Sequence, residues 1–549
     1  MDHIRSVFVK QGINLLDFTV RVYPDEVNFI VYVDESDLLR AVEIGNDLDD
    51  SIGSAEQPAF VVIRKATPSM LESNEARPLK TGVQDERATR LVQLITARSR
   101  VSEVQPALSY VRDVRSNLSA VTAGRHHLVF GRRGAGKSAL LVEAKRRIDL
   151  DGNISCWINM HTYRNENPAE VFLNCLNSIL GTVVGHQQLQ RPGSPLAASA
   201  AVLYSHVQGA LLHETIDLTV VRRLIPQVQQ LLRRFLDQSD TQLFIFVDDF
   251  YLLSRSIQPQ VLDMLAASTR DCKAWIKVAS IRHLTRAFQN APPLGLQTAQ
   301  DAEIIDLDVT LQEPKRAQEF LENILTEYCK AVGIGSPSRI FNGKALNRLV
   351  LASGAVPRDY LVLASGAIQG AQRRDGARQV GAQDVNQIAG DAMQSKLQEL
   401  EEDMAANVEF ADRAVRALTV IRNFLEETNY TYFLVDYRDK EAQAHEYDLL
   451  TDLLSVRIVH LLDAGVSHAH AAGQRSEAYM LDLSQYSGLR YKQGIEVLDF
   501  EAGRLVAKKT RSTKTARVGD TPRKVIAILR VAPTFELSKL SSVTQKAAT

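Results

Sequence analysis

The chain has 549 residues, more than one ordinary domain holds, and calls for about three or four. Its 64 basic and 65 acidic residues leave a net charge of −1, so whole-chain charge selects neither nucleic acid nor an acidic ligand as partner. No apolar run reaches the ~20 residues that span a bilayer, and the first residues, MDHIRSVFVKQG, lack the apolar centre of a signal peptide, which points to the cytoplasm and to no membrane partner. The four cysteines (Cys156, Cys175, Cys272, Cys329) lie far apart with no Cys-x-x-Cys pair, as buried free thiols of a reducing compartment would.

Residues 1–66 read as a small α/β domain of unknown role. Phe18 to Tyr23 and Val27 to Val33 alternate around Pro24-Asp25 as a hairpin. A helix from Ser36 to Ile44, an acidic loop and a strand from Ala59 to Ile63 follow. Pro68, Pro78 and Gly82 among polar residues suit a linker over 67–84. Helices over about 85–100 and 105–122 lead to the next motif.

That motif is GRRGAGKS, Gly131 to Ser138, a complete phosphate-binding loop between an apolar strand (His127 to Phe130) and a helix-forming run from Ala139. Its glycines let backbone N–H groups turn inward as a nest for phosphates at a helix N-terminus. Gly131, Arg132, Arg133, Gly134, Ala135, Gly136, Lys137, Ser138 and Ala139 are the binding residues this assigns. Lys137 reaches the β- and γ-phosphates, and the Ser138 hydroxyl ligates magnesium.

A strand from Ile154 to Met160, a helix from Pro168 to Leu180, an insertion with Pro192, Gly193 and Pro195, and helical material to Asp240 follow. Leu243 to Val247 then ends in Asp248-Asp249, the form of a Walker B strand. Asp248 would hold magnesium through water and Asp249 would polarise the attacking water; the competing reading is a helix cap. Strands from Trp275 to Ser280 and Glu303 to Val309 complete a parallel sheet covered on both faces. Ser280, at a strand end, is a candidate for positioning water, against an ordinary strand-terminal serine. Arg282 and Arg286, on or near a following helix, are either an arginine finger or a solvated face.

Residues 314–400 are helical by pattern and form a lid. Within it Gly354 ends one helix, Pro357 opens the next, and Arg358 at that helix start wants an anion, which a nucleotide phosphate supplies. Met404 to Asn407 reads as a hinge. Beyond it come a helix (Arg413 to Glu427), a strand (Tyr430 to Tyr437), a helix (Glu446 to Leu462) and short strands at 478–483 and 495–500, a winged-helix-like ending.

GRRGAGKS, LFIFVDD, the strand end at Ser280 and the Gly354-x-x-Pro357-Arg358 helix start together resemble the AAA+ class of ATPases. Within it the likeness is to the origin-recognition-complex and archaeal-ATPase branch, with the related signal-transduction ATPases with numerous domains. It covers about residues 105–395 and extends loosely over the C-terminal end. The resemblance implies ATP as ligand and Mg2+ as cofactor, Lys137, Ser138, Asp248 and Asp249 in their usual roles, and Arg358 as the lid's sensor arginine. Tyr110-Val111-Arg112-Asp113 resembles the segment that packs on adenine. Asp249 stands where many such enzymes have glutamate, which implies slow, switch-like hydrolysis, and no clear finger implies that a ring is not obligatory. Members act in replication loading, transposition and phage defence, and nothing in the residues chooses among these.

Residues 504–524 carry Arg504, Lys508, Lys509, Arg511, Lys514, Arg517, Arg523 and Lys524 against Asp520, a basic loop or arm. It offers phosphate anchoring of nucleic acid, and a solvated tail is the equal alternative. Leu449 to Leu462, with only Arg457 and His460 as basic groups, suits a core or protein interface better than base reading. His468 and His470, near His445 and His460, are read as exposed histidines, not a metal site.

The expected architecture is an α/β P-loop NTPase parallel sheet with a helical lid, a small N-terminal α/β domain and a C-terminal winged-helix-like domain. Its parts run 1–66, linker 67–104, ATPase core 105–312, lid 313–403, winged-helix-like domain 404–510 and basic arm 511–549. The expected function is an ATP-hydrolysing switch engaging a protein partner or DNA, with self-association as a further partner class. The alternative is a non-hydrolysing scaffold ordered by ATP.

Overall fold

In the computed structural model, the chain is described except for residues 1, 14, 23–26, 35–36, 53–58, 66–81, 100, 102, 104–107, 109, 112–116, 187–193, 214–215, 217, 404–407, 468–473, 487–493, 510–515 and 545–549. The Pro24-Asp25 turn, most of the linker, Arg112-Asp113, Pro192-Gly193, the Met404 to Asn407 hinge, His468, His470, Arg511 and Lys514 therefore lie outside the described residues.

Strands β1 (Asp17–Val22) and β2 (Val27–Val33) pair antiparallel, and β3 (Ala59–Lys65) joins β2 in parallel. Helices Asp2–Lys10 and Leu38–Ile52 supply the rest of their core, with Ile4, Phe8, Ala41 and Leu48 packed against Val31, Val33 and Val61. The second helix runs past the expected end at Ile44 into the acidic stretch. Leu48 continues the buried face at i+7 from Ala41, and Asp49 accepts a hydrogen bond from the Val61 N–H at 2.7 Å, so the acidic residues are used rather than looped out.

The central sheet is parallel throughout. It comprises β4 (His126–Phe130), β5 (Ile154–Asn159), β6 (Leu243–Asp248), β7 (Ala274–Ser280) and, after a small hairpin of β8 (Phe288–Asn290) and β9 (Pro293–Gly295), β10 (Ala302–Asp306). The order is β10-β4-β7-β6-β5. All of β6 is buried because each face has cover. Leu243, Ile245 and Val247 share one core with residues of helices Pro168–Val184, Leu218–Ser239 and Gln258–Thr269, while Phe244 and Phe246 share the other with residues of helix Lys137–Leu150. The α/β core with a helical lid is as expected. Two local readings change. Arg282 and Arg286 are followed by no helix, only a 3-10 turn (Arg282–Leu284) and the hairpin, and the last core strand stops at Asp306.

The lid comprises helices Pro314–Ala331, Gly343–Ala352, Pro357–Gln372 and Ala382–Asp403. Helix Glu86–Ala97, expected to lead into the core, joins the lid instead: Ala88, Leu91, Val92 and Ile95 share a core with Leu321, Leu325, Tyr360 and Ala364. Of the helix expected over 105–122, the described residues contain only Asn117–Val121.

Helix Val408–Thr428 opens the C-terminal unit, followed by β11 (Tyr432–Asp436), helices Tyr437–Ala442 and Ala444–Ser455, β12 (Val459–Ser467) and β13 (Arg475–Leu481). These strands form an antiparallel sheet ordered β11-β13-β12. The helix expected to reach Leu462 therefore ends at Ser455, and the β-branched run Val456, Ile458 and Val459 turns into β12 through Arg457 at φ 63°.

A second sheet of β14 (Glu496–Glu501), β15 (Arg504–Lys509) and β16 (Arg517–Gly519) follows, then helix Pro522–Leu529. The basic arm is thus corrected to folded structure over its described part. Leu529, Phe535, Leu537 and Leu540 are fully buried, and Phe535 meets Phe424 and Phe433 edge-on. One apolar core runs from Val83 through the lid to Val543, so lid and C-terminal unit are packed as one body.

Candidate functional site

Parallel strands bring their C-terminal ends to one sheet edge, where Phe130, Asn159, Asp248, Ser280 and Asp306 line up. The phosphate loop leaves that edge after Phe130. Gly134 (φ 77°) and Gly136 (φ 99°) supply the left-handed backbone the loop needs, and Gly136 caps helix Lys137–Leu150. A Cβ at Gly134 would sit 2.6 Å from Arg358 Cβ, so glycine is also required by the lid's close approach.

Between this edge and the lid lies a cleft of about 1490 Å³. It is lined by loop residues Arg133 to Ala139, by Asp248 and Asp249, and by Arg358 from the lid. Apolar groups in its lining come from Ile95, Val101, Tyr110, Val111, Tyr328 and Leu361. A phosphate loop and apolar groups lining one cleft suit a nucleotide.

Lys137 is buried, and its Nζ donates to the carbonyls of Gly131 (2.8 Å) and Arg132 (3.1 Å). Burial pushes its ammonium down to about 8, opposed by Asp308, Asp249 and Asp248. Ser138 lies beside Asp248 in the cleft lining and helps hold its carboxylate, and the Asp249 N–H donates to Asp248 Oδ1 at 3.0 Å. Burial and the neighbouring Asp249 raise the Asp248 carboxyl to about 6. A buried carboxylate pressed against a second one and a hydroxyl is a hard-oxygen set that fits Mg2+, which keeps most of its waters and takes few protein ligands. Asp249 adopts left-handed backbone, φ 54° and ψ 36°, which turns it out of β6 into the cleft.

The remaining expected residues separate into two groups. Arg358 reaches the cleft: its N–H donates to the Gly134 carbonyl at 3.3 Å and its Nε to the Ser99 carbonyl at 3.4 Å. Arg133 also lines the cleft, stacked 5.3 Å over the Tyr251 ring. Ser280 does not reach it; fully buried, its hydroxyl shares a 2.5 Å hydrogen bond with Thr285 Oγ1. Gly131 and Arg132, the first two residues of the loop, are not among those that line the cleft. Arg282 is held in its own chain, 3.3 Å from Asp306 and stacked on Phe130, while Arg286 is exposed.

Sequence reasoning missed the work of Arg132. Its backbone N–H and Nε both bind Asp308 Oδ1, and one terminal nitrogen reaches the carbonyls of Val309 (2.9 Å) and Gly354 (3.3 Å). The available signal was Asp308, a carboxylate just past a strand end beside a phosphate loop.

No family model matches the chain, and no curated protein matches it. Among solved structures, the Orc1 protein of Aeropyrum pernix in complex with DNA is similar at 13% identity and a TM-score of 0.33, over 76% of this chain and 91% of that one. Cdc6p of Pyrobaculum aerophilum is similar at 13% identity and a TM-score of 0.28, over 77% and 96%. Drosophila ORC bound to DNA is similar at 14% identity and a TM-score of 0.28, over 72% and 91%. The fold reading stands on strand order and loop geometry.

Three of the six described cations of 504–524 are paired with carboxylates. Lys508 pairs with Asp499 and Glu501, Arg517 with Glu496, and Lys524 with Asp520, leaving Arg504, Lys509 and Arg523 exposed on the surface. The described residues contain no cluster of three or more metal-ligating side chains and no helix long and apolar enough to cross a membrane. Cys156, Cys175, Cys272 and Cys329 are buried and free.

Proposed function

We propose that this chain is an ATP-binding, ATP-hydrolysing switch of the AAA+ type, which couples nucleotide state to engagement of a partner by its C-terminal unit. One observation carries the reading: Lys137, Ser138, Asp248, Asp249 and Arg358, from three separate elements, line one cleft between sheet edge and lid. Loop amides and Lys137 hold the phosphates, Tyr110 and Val111 cover the base, and Arg358 answers the phosphate charge from the lid. Ser138 and Asp248 would hold Mg2+, which supplies positive charge to the phosphates. Asp249 orients the attacking water and receives its proton. The lid closes on ATP and relaxes after hydrolysis, and self-association is not needed to complete the site.

The helix–strand–helix–helix–strand–strand order of the C-terminal unit is read as winged-helix-like. Its helix Ala444–Ser455 exposes Ala444, His445 and Asp448, without a cation, which favours a protein partner over base reading. Nucleic acid remains the second partner class, through Arg504, Lys509 and Arg523.

Single-turnover and steady-state assays with Asp249→Asn test the reading. Turnover should fall by about 100-fold or more while ATP affinity holds. A wild-type chain that binds ATP and never turns it over, with or without duplex DNA, would leave the ATP-ordered scaffold. The short Asp249 side chain on left-handed backbone is the one feature that favours that second reading.

A further inference from the structure

We infer that Arg457, a residue of the C-terminal unit, positions the cleft-lining Arg358 through Asp359. The inference rests on the proposed nucleotide reading and names how that site is wired to the rest of the chain.

Arg358 and Asp359 are successive residues in the first turn of helix Pro357–Gln372. Successive helical side chains point about 100° apart, so a force on one rotates the other. Arg358 lines the cleft, beside Gly134 and Ser99. Asp359 faces away from it and meets Arg457, Nε to Oδ2 2.9 Å, with side chains 3% and 8% exposed for Arg457 and Asp359. Arg457 is itself fixed: it occupies left-handed backbone at φ 63° between helix Ala444–Ser455 and β12, a conformation that persists only where surroundings impose it.

Two further contacts from the same strand grip the same region. His460 lies so close under Gly354 that a Cβ there would come within 2.2 Å of Nδ1, and its Nε2 is 2.6 Å from Asp482 Oδ2. The Gly354 carbonyl in turn accepts from Arg132 of the phosphate loop. Asp463 accepts from Gln312 Nε2 at 2.8 Å, and Gln312 lines the cleft. Residues 457–463 therefore make three contacts around the cleft, each on or next to a residue that lines the cleft or binds its loop.

A buried ion pair between packed elements could serve stability alone. That role predicts a lower melting temperature with unchanged nucleotide preference. A positioning role predicts a change in preference for ATP over ADP, because Arg358 answers the terminal phosphate.

The test is equilibrium binding of fluorescent ATP and ADP analogues, with Mg2+, to the full chain and its variants. Arg358→Ala should cut the ATP-over-ADP preference by about 10-fold, and Arg457→Ala and Asp359→Asn by about 5- to 10-fold. Arg457→Lys, which keeps the charge, should recover part of the loss. It also stands in for the alanine variant should that fail to fold. The double variant Arg358→Ala, Arg457→Ala should show no more loss of preference than Arg358→Ala alone. Losses that multiply in the double variant, or a preference unchanged in Arg457→Ala, Arg457→Lys and Asp359→Asn, overturn the inference. A wild-type chain that binds neither nucleotide overturns the ATP reading itself, a distinct result.

Discussion

Arg132 binds Asp308 twice, through its backbone N–H at 2.8 Å and its Nε at 3.2 Å, both on Oδ1. The phosphate loop is thereby tied to the segment after β10, and through the Gly354 carbonyl to the lid. Charge-assisted hydrogen bonds of this kind contribute on the order of 1.5–3 kcal/mol each. Arg132→Ala should weaken ATP binding by about 10-fold and lower the melting temperature, although its side chain does not line the cleft. Asp308→Asn, which keeps an acceptor and loses the charge, should fall between wild type and Asp308→Ala. Titration calorimetry and thermal melts on the three variants check the order.

Asp248 gives a prediction with a defined sign in pH. Its folded carboxyl is raised to about 6 from an ordinary value of 3.8. The folded state therefore binds the proton more tightly than the unfolded state, and nucleotide-free stability falls as pH rises from about 4 to 6. At pH 7 the ionised Asp248 costs on the order of 2–3 kcal/mol. Asp248→Asn should melt higher than wild type at pH 7, with the gain fading near pH 4, and should lose Mg2+-dependent nucleotide affinity. An Asn variant that melts lower than wild type at pH 7 would contradict this account.

Gly354 of the lid packs tightly against His460 of the C-terminal unit. At φ 52° any side chain is strained, and a Cβ would sit 2.2 Å from His460 Nδ1. Gly354→Ala should destabilise the chain by about 2–4 kcal/mol. In His460→Ala the obstruction is gone and only the backbone strain is left, so the added cost of Gly354→Ala should drop to about 1 kcal/mol. Chemical denaturation of the four-member cycle measures the coupling.

Nucleic-acid binding, where it occurs, should be shallow in salt. Lys508, Arg517 and Lys524 already face carboxylates, so Arg504, Lys509 and Arg523 are the described cations of 504–524 available to phosphate. The slope of log affinity against log salt should be about −3 for a duplex. Lys509→Gln should reduce it by about 1, while Lys508→Gln should chiefly cost stability.

The chemistry-bearing strand ends were legible because each combines a buried apolar run with an abrupt change of residue type. Val129-Phe130 before Gly131 and Phe246-Val247 before Asp248 are of this kind, and both lie where the pattern puts them. The C-terminal unit was harder to read. Leu449 to Leu462 is apolar without a break, so neither period separates helix from strand, and only the left-handed Arg457 marks the change. Ser280 was misplaced because its strand end is correct but its hydroxyl has a nearer partner in Thr285. The basic segment misled because charge counting along the chain ignores carboxylates from other strands: Glu496 and Asp499 lie on β14, beside β15.

The backbone of Asp249 limits what evolution or an engineer can place there. At φ 54° and ψ 36° the position favours Asp and Asn, whose short polar side chains tolerate this region, and disfavours longer ones. The glutamate common in AAA+ enzymes would have to strain the turn or pull it straight, moving Tyr251 and the stacked Arg133 with it. Relatives that keep this turn should therefore vary among Asp, Asn and Gly at this position. A glutamate there would mark a lineage whose strand leaves the sheet differently.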